Sequence, residues 1–216
     1  MTDWRIKMKP QDNEHDQEPQ FSPFDQFVFE SYQALLKDRT ILLNSDIDKS
    51  VIEKVVLPLT TLSQKNTKPI KLLINSPGGS IEDGQAVVDA ILTSKTPIIT
   101  VAFGKAMSAS FDIFLAGDRR IIYPNTVLMC HSGSAKLETQ TLPQINQEAD
   151  LHKQYFERWS KWYASLTKIS EKEWYTLLST GLNKYWFPEQ ALLDGLVHQI
   201  IQIPKKNLKF LSKTNW

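Results

Sequence analysis

Residues Ile74-Asn75-Ser76-Pro77-Gly78-Gly79-Ser80 decide the fold of this chain. They join an apolar run, residues 70–74, to a Pro-Gly-Gly turn, and a segment with apolar residues at helical spacing then begins at Ser80. Because Pro and Gly stop regular structure and Ser is a preferred N-cap, the string predicts a buried strand, a tight turn and a helix in succession. Backbone N–H groups at a helix N-terminus favour negative charge, so this turn could hold a phosphate or a developing oxyanion. A plain tight turn is the alternative.

Apolar runs of strand length alternate with helical patterns along the chain. Strands are predicted at 39–43, 70–74, 97–103, 120–123, 127–130 and 197–203, and helices at 24–37, 46–63, 107–116, 141–168, 170–178 and 188–195 as well as after Ser80. Alternation at this spacing predicts parallel strands joined by right-handed crossovers, and therefore an α/β fold. Pro58 should bend or interrupt the second helix. The helix at 141–168 is long and aromatic, so we expect it to pack against its own domain or against a sister subunit.

Composition limits the class of protein. The 216 residues carry a formal net charge of +1, which argues against a dedicated binder of nucleic acid or of an anionic membrane. The single cysteine excludes an intrachain disulfide framework, and no apolar run is long enough to span a bilayer. We expect a cytoplasmic domain at 23–204, preceded by a flexible polar arm at 1–22 and followed by a tail at 205–216. No cofactor or metal is expected.

Two residues could carry acyl-transfer chemistry. Ser108 follows a predicted strand and the small-residue turn that begins at Gly104, and His131 ends the apolar run 127–130. Taken singly, Ser108 is a candidate N-cap and His131 a candidate core histidine. Ser110 would face away from Ser108. Because the ends of neighbouring parallel strands lie at one edge of a sheet, the pair is also a candidate nucleophile and general base.

Three segments, 74–80, 104–117 and 127–131, resemble the proteolytic subunit of the Clp protease, the caseinolytic protease family. That family carries a Ser-Pro-Gly-Gly-Ser turn, a Gly-x-Ala-x-Ser motif and a Met-x-His motif in this order. The resemblance extends over roughly residues 28–201. It implies a ClpP/crotonase-like spiral of ββα units, with a protruding handle helix at about 141–168 through which two heptameric rings contact each other.

The resemblance also implies roles for individual residues. Ser108 would attack the peptide carbonyl, and His131 would take its proton and return it to the leaving amine. The backbone N–H groups of Gly79 and Ala109 would form the oxyanion hole. Extended substrate would pair with the segment that contains Gly78, Ser80 and Ile81. The partners would be identical or paralogous subunits in stacked rings, an ATP-dependent unfoldase and a polypeptide substrate.

The family's third catalytic residue, an aspartate shortly before the closing helix, is missing. No acid lies between Glu173 and Glu189, and the candidates in its place are neutral. These are Ser179, Thr180 and Asn183. A neutral acceptor can orient a histidine but stabilises the imidazolium poorly, so we expect reduced activity.

Asp112 is a second departure, because the family is apolar at this position. It lies one helical turn after Ser108. It is either a replacement acid or a structural charge paired with Arg119 or Arg120.

The sequence therefore predicts a serine endopeptidase subunit of a Clp-type compartmentalised protease. One alternative is a non-catalytic structural subunit of a mixed ring. A further alternative is a crotonase-like acyl-CoA enzyme, which shares the scaffold and the backbone oxyanion hole.

Overall fold

The structure, a computed structural model, describes residues 22–133 and 141–204. The helices are α1 (Pro23–Lys37), α2 (Leu57–Lys65), α3 (Ile81–Leu92), α4 (Ala109–Leu115), α5 (Leu142–Leu166), α6 (Glu171–Ser179) and α7 (Pro188–Leu193). The strands are β1 (Thr40–Leu43), β2 (Ile70–Ser76), β3 (Ile98–Met107), β4 (Arg119–Ile122), β5 (Val127–Cys130), β6 (Lys184–Trp186) and β7 (Gln199–Ile200). A π-helical turn, Ile52–Val56, directly precedes α2.

The strands form one mixed seven-stranded sheet. The order β1-β2-β3-β4-β7 is parallel throughout, as the alternation of strands and helices predicts. The ten-residue strand β3 pairs with three strands. Besides β2, its first half pairs with β4 and residues Lys105–Met107 pair with β5. The carboxyl ends of β2, β3 and β5 therefore lie at one edge of the sheet. Strand β6 adds to β5 in the antiparallel direction.

The core fills both faces of the sheet. Apolar side chains of β1, β2 and β3 are buried together with those of α3 and α4. Beside them lies an aromatic group formed by α4, α5, α6 and β6, in which neighbouring ring centroids are 4.9–6.2 Å apart. Its members are Phe111, Tyr163, Trp174 and Trp186. Rings at these separations add to the stability that apolar burial supplies.

The buried side chains of helix α5 lie in its second half. Its buried residues are Trp159, Ser160 and Tyr163, whereas Leu142 and Leu151 are 76% and 46% exposed. The handle helix expected from the sequence is therefore present. No helix within residues 22–133 and 141–204 is long and apolar enough to cross a membrane.

The structure corrects several boundaries. The helix predicted at 46–63 begins later, because the backbone of Ile47 forms a bridge with Gly79 and is extended there. The Pro58 interruption takes the form of the π-helical turn, which closes with the Leu57 N–H on the Ile52 carbonyl. Strand β3 continues to Met107, so the helix predicted from that residue begins at Ala109. The last strand is only two residues long. The predicted arm, except for Ser22, and the predicted tail lie outside the described residues.

Candidate active site

Ser108 occupies a strained turn between β3 and α4. Its backbone has φ 53° and ψ −130°, a left-handed conformation that costs a residue with a side chain about 1–3 kcal/mol. The N–H of Ser108 donates to the Met129 carbonyl at 2.9 Å, which fixes the turn against β5. The hydroxyl makes no capping hydrogen bond to α4. It lies 2.7 Å from Nε2 of His131 instead.

His131 directly follows β5 and is half-buried. Desolvation by burial lowers its pKa below 6.5. The imidazole is therefore neutral at pH 7, and Nε2 accepts from the Ser108 hydroxyl when the ring proton is on Nδ1. A neutral imidazole in this position can act as a general base toward the serine.

The Pro-Gly-Gly turn presents a backbone N–H toward the serine side. The Ile47 N–H donates to the Gly78 carbonyl at 2.8 Å, and the Ser80 N–H donates to the Ile47 carbonyl at 2.8 Å. Because the peptide group is trans and planar, the Gly79 N–H points opposite to the Gly78 carbonyl, away from Ile47. Neither this N–H nor that of Ala109, the first residue of α4, has a backbone acceptor among the described residues.

Gly78 packs tightly against the Ser108 turn. A Cβ atom on Gly78 would lie 2.7 Å from the Ser108 Cβ and 3.1 Å from the Ala109 nitrogen, and φ is +95°. Only glycine fits here. The serine, the histidine and the N–H groups of Gly79 and Ala109 thus lie at the carboxyl ends of β2, β3 and β5.

Comparisons with known proteins agree with this geometry. The family model described as "Clp protease" matches residues 24–204. The chain belongs to the Clp protease family. An ATP-dependent Clp protease proteolytic subunit from Deinococcus radiodurans is 29% identical over 182 residues, which are 83% of this chain and 88% of that protein. The solved structure of an Asn-to-Asp mutant of ClpP1 from Listeria monocytogenes matches with a TM-score of 0.71 and 28% identity, over 82% of this chain and 99% of the other.

These findings confirm the resemblance to the Clp proteolytic subunit and the ClpP-like fold class. Membership in this family favours the peptidase over the acyl-CoA alternative. Within residues 22–133 and 141–204, no group of three or more His, Cys, Asp or Glu side chains is placed to hold a metal ion.

Two of the three candidates for the third catalytic position bond within their own helix. The Ser179 hydroxyl donates to the Thr176 carbonyl at 3.0 Å, and the Thr180 hydroxyl donates to the Leu177 carbonyl at 2.8 Å. In the part of the chain that the structure describes, neither hydroxyl bonds His131.

The third candidate in this Clp-family chain, Asn183, directly precedes strand β6. The last pair of the antiparallel β5–β6 ladder is Cys130 with Lys184, so the next step of the register sets Asn183 opposite His131. The Asn183 Nδ2 donates to the Tyr185 hydroxyl at 3.2 Å. Its Oδ1 accepts no hydrogen bond from the described residues and could receive one from His131 Nδ1.

Asp112 pairs with neither of the arginines suggested for it, and it does not bond His131. It is 7% exposed. The Tyr163 hydroxyl donates to Oδ1 at 2.5 Å and the Gln85 amide donates to Oδ2 at 3.3 Å. Arg119 and Arg120 donate instead to a glutamine side chain and to main-chain carbonyls. Asp112 therefore joins α4 to the handle helix α5. The expectation of an arginine pair was wrong.

Asp112→Asn is expected to stabilise the fold at pH 8. Burial raises the pKa of Asp112 from 3.8 to about 7, so between these pH values the native state keeps a proton that the unfolded chain releases. The free energy of unfolding therefore falls as pH rises through this window, by roughly 1.4 kcal/mol per pH unit. Asparagine can still accept from Tyr163, and no charge is buried. Denaturant unfolding at pH 5 and at pH 8 measures the free energy of unfolding at each pH. The change in this free energy between the two pH values should be about 2–4 kcal/mol smaller in the variant than in wild type. Asp150→Asn, at an exposed position on α5, is the control; equal pH dependence in all three proteins would contradict the prediction.

Sequence reasoning missed the contribution of α5 to the site. A narrow cavity beside Ser108 and His131 is lined in part by Trp159 and Tyr163. The aromatic density of the helix was the available signal, but it points equally to a subunit interface. Cys130 also lines this cavity, and its thiol, whose pKa burial raises, is protonated.

Proposed function

We propose that this chain is a serine endopeptidase subunit of a Clp-type protease that cleaves unfolded polypeptides. The observation that carries the proposal is the 2.7 Å contact between Ser108 Oγ and His131 Nε2, at an edge of the sheet where the Gly79 and Ala109 N–H groups have no backbone acceptor among the described residues. Serine and histidine at this distance form a nucleophile and its general base.

The reaction follows from this geometry. Ser108 Oγ attacks the substrate carbonyl while His131 Nε2 takes the hydroxyl proton. The N–H groups of Gly79 and Ala109 stabilise the oxyanion of the tetrahedral intermediate. His131 then protonates the leaving amine, and a water molecule, deprotonated by the same imidazole, hydrolyses the acyl-serine.

Extended substrate is proposed to bind along residues 78–81, as a strand beside Gly78, Gly79, Ser80 and Ile81. The edge that faces Ile47 is already bonded. The opposite edge carries the Gly79 N–H, which has no backbone acceptor among the described residues and is proposed to pair with a substrate strand. Main-chain pairing of this kind binds polypeptides without requiring one sequence.

Asn183 is proposed as the residue that positions His131. The β5–β6 register sets it opposite the histidine, and its bond to Tyr185 orients the amide so that Oδ1 remains available. A neutral oxygen holds the Nδ1–H tautomer but stabilises the imidazolium less than a carboxylate does. Reduced activity is the consequence.

Assembly into paired heptameric rings in the cytoplasm, served by an ATP-dependent unfoldase, is part of the proposal. The Deinococcus relative is named as an ATP-dependent proteolytic subunit. Large apolar side chains are exposed on α1 and on the handle helix, in amounts that a monomer rarely leaves open to water. The most exposed are Phe24 (72%), Phe27 (65%) and Leu142 (76%). These surfaces are proposed to bind sister subunits, identical or paralogous.

The test is labelling of the serine in the assembled protein. Material from the largest species in gel filtration is treated with a fluorophosphonate, and the labelled peptide is identified by mass spectrometry. We expect label on Ser108, and loss of at least about 10³-fold in peptide hydrolysis in Ser108→Ala. Ser110→Ala is the matched control, since Ser110 is buried and its hydroxyl bonds main-chain carbonyls. Label that persists in Ser108→Ala would overturn the assignment.

A non-catalytic subunit of a mixed ring is the second candidate. The observation that favours it is that no carboxylate among the described residues bonds His131. The same experiment separates the two: an assembled protein whose Ser108 takes no label, alone or mixed with a paralogous subunit, is a structural subunit.

A further inference from the structure

A narrow cavity opens beside the candidate nucleophile. Ser108, Ala109 and His131 line it, together with the buried residues Asp112, Cys130 and Tyr163. Ile81 and Trp159 complete the lining among the described residues, together with Ser132 and Gly133. Because the cavity begins at the serine, the substrate side chain next to the attacked carbonyl, the P1 side chain, is the group that enters it.

The cavity is small because α5 fills it. It has room for about one water molecule. Trp159 and Tyr163, 6% and 2% exposed, are held by neighbouring rings: Trp159 stacks on Tyr155 at 5.0 Å and Tyr163 meets Trp174 at 4.9 Å. These rings cannot withdraw without loss of core contacts. A leucine, methionine or phenylalanine side chain would need that space.

The lining of the cavity includes one carboxyl group, that of Asp112. Asp112 receives hydrogen bonds from Tyr163 and Gln85, which leaves lone pairs on both carboxyl oxygens. No cation bonds this carboxylate within residues 22–133 and 141–204. An apolar side chain in the cavity would keep water from these remaining lone pairs and offer them no donor, at a cost of about 1–3 kcal/mol. A hydroxyl would occupy the place of one water molecule and supply the donor.

We propose that this cavity is a P1 subsite that selects short side chains with a hydroxyl donor, with Asp112 as the specificity-determining residue and Trp159 as the wall that limits length. The inference rests on the proposed function. The favoured cleavage sites are those after serine and threonine, alanine is accepted less well, and large apolar residues are rejected. Lysine and arginine are rejected by length, since their charged groups lie well beyond the space of one water molecule.

The test is a series of fluorogenic peptides that differ only at P1, with Ser, Ala, Leu and Lys. We expect kcat/KM for Ser to exceed that for Leu or Lys by at least about tenfold. Trp159→Leu should lower the Ser-to-Leu ratio by about tenfold through a gain for Leu. Phe156→Leu, on the same helix but outside the cavity lining and with its ring against His152, should not change the ratio. Asp112→Asn should lower the ratio through a loss for Ser.

A wild-type preference for Leu or Lys over Ser, or equal ratios in all variants, would overturn the subsite. Fluorophosphonate labelling of Ser108 in each variant separates this failure from failure of the proposed function. Ser108 that takes label while the four peptides are cleaved at similar rates overturns the subsite alone. Ser108 that takes no label overturns both.

Discussion

An aspartate at position 183 is expected to raise kcat for peptide hydrolysis by about 10²- to 10⁴-fold. In the serine-protease triad, exchange of the aspartate for asparagine costs about 10⁴-fold in turnover, and Asn183→Asp reverses that exchange. The carboxylate would accept from His131 Nδ1 and stabilise the imidazolium that forms as Ser108 loses its proton. The bond from Asn183 Nδ2 to Tyr185 would become one from the Tyr185 hydroxyl to the carboxylate, so the geometry can persist.

The pH profile distinguishes this mechanism from a general change in stability. The base must be neutral, so activity is lost as pH falls through the pKa of His131, which burial holds below 6.5. A neighbouring carboxylate raises that pKa, and the acid limb of kcat/KM should therefore move to higher pH in Asn183→Asp. Asn66→Asp, an exposed exchange at the C-terminal end of α2, should move neither kcat nor the limb. A faster Asn183→Asp with an unshifted limb, or no change in rate, would contradict the assignment of Asn183.

The parts of the site that lie at strand ends were predictable from the sequence. The apolar runs before Pro77, Ser108 and His131 have the length and composition of buried parallel strands. Parallel strands place their carboxyl ends at one edge, so proximity of these residues follows from local pattern alone. The 2.7 Å contact between Ser108 and His131 agrees with that expectation.

The group behind the histidine was not predictable in the same way. Strand β6 is three residues long, too short for any periodicity, and it exists because it pairs with β5. The sequence therefore left Ser179, Thr180 and Asn183 as alternatives for this position. Only the antiparallel register, a long-range property, separates Asn183 from the two hydroxyls that bond their own helix.

The role of Asp112 could not be predicted from the sequence for the same reason. Its partner Tyr163 is 51 residues away in sequence. The sequence marks Asp112 as unusual, and the nearest visible cations, Arg119 and Arg120, suggested an ion pair. Packing of α5 on α4 instead places the Tyr163 hydroxyl against Asp112. The carboxyl group is therefore buried among neutral donors and not paired with an arginine.

Gly79→Ala is expected to lower kcat by at least about 10²- to 10³-fold and the free energy of unfolding by about 3 kcal/mol or more. An added Cβ would lie 2.2 Å from the Ile47 carbonyl oxygen and 2.9 Å from its nitrogen. Both are backbone atoms, which cannot rotate away as a side chain would. The turn must move, and the bonds that join Ile47 to Gly78 and Ser80 are stretched or broken. The Gly79 N–H then leaves the position that we assign to the oxyanion.

Gly181→Ala is the matched control, because it separates backbone strain from the clash. Gly181 also has a positive φ, +69°, but an added Cβ would meet nothing within 4 Å. Its substitution should cost about 1–2 kcal/mol of stability and leave kcat within a few-fold of wild type. Denaturant unfolding and single-turnover acylation of Ser108 measure the two effects separately. If Gly79→Ala is destabilised but Ser108 is still acylated at the wild-type rate, the assignment of the oxyanion hole is wrong. The clash would then have moved the Gly79 N–H without slowing acylation, so other donors must hold the oxyanion.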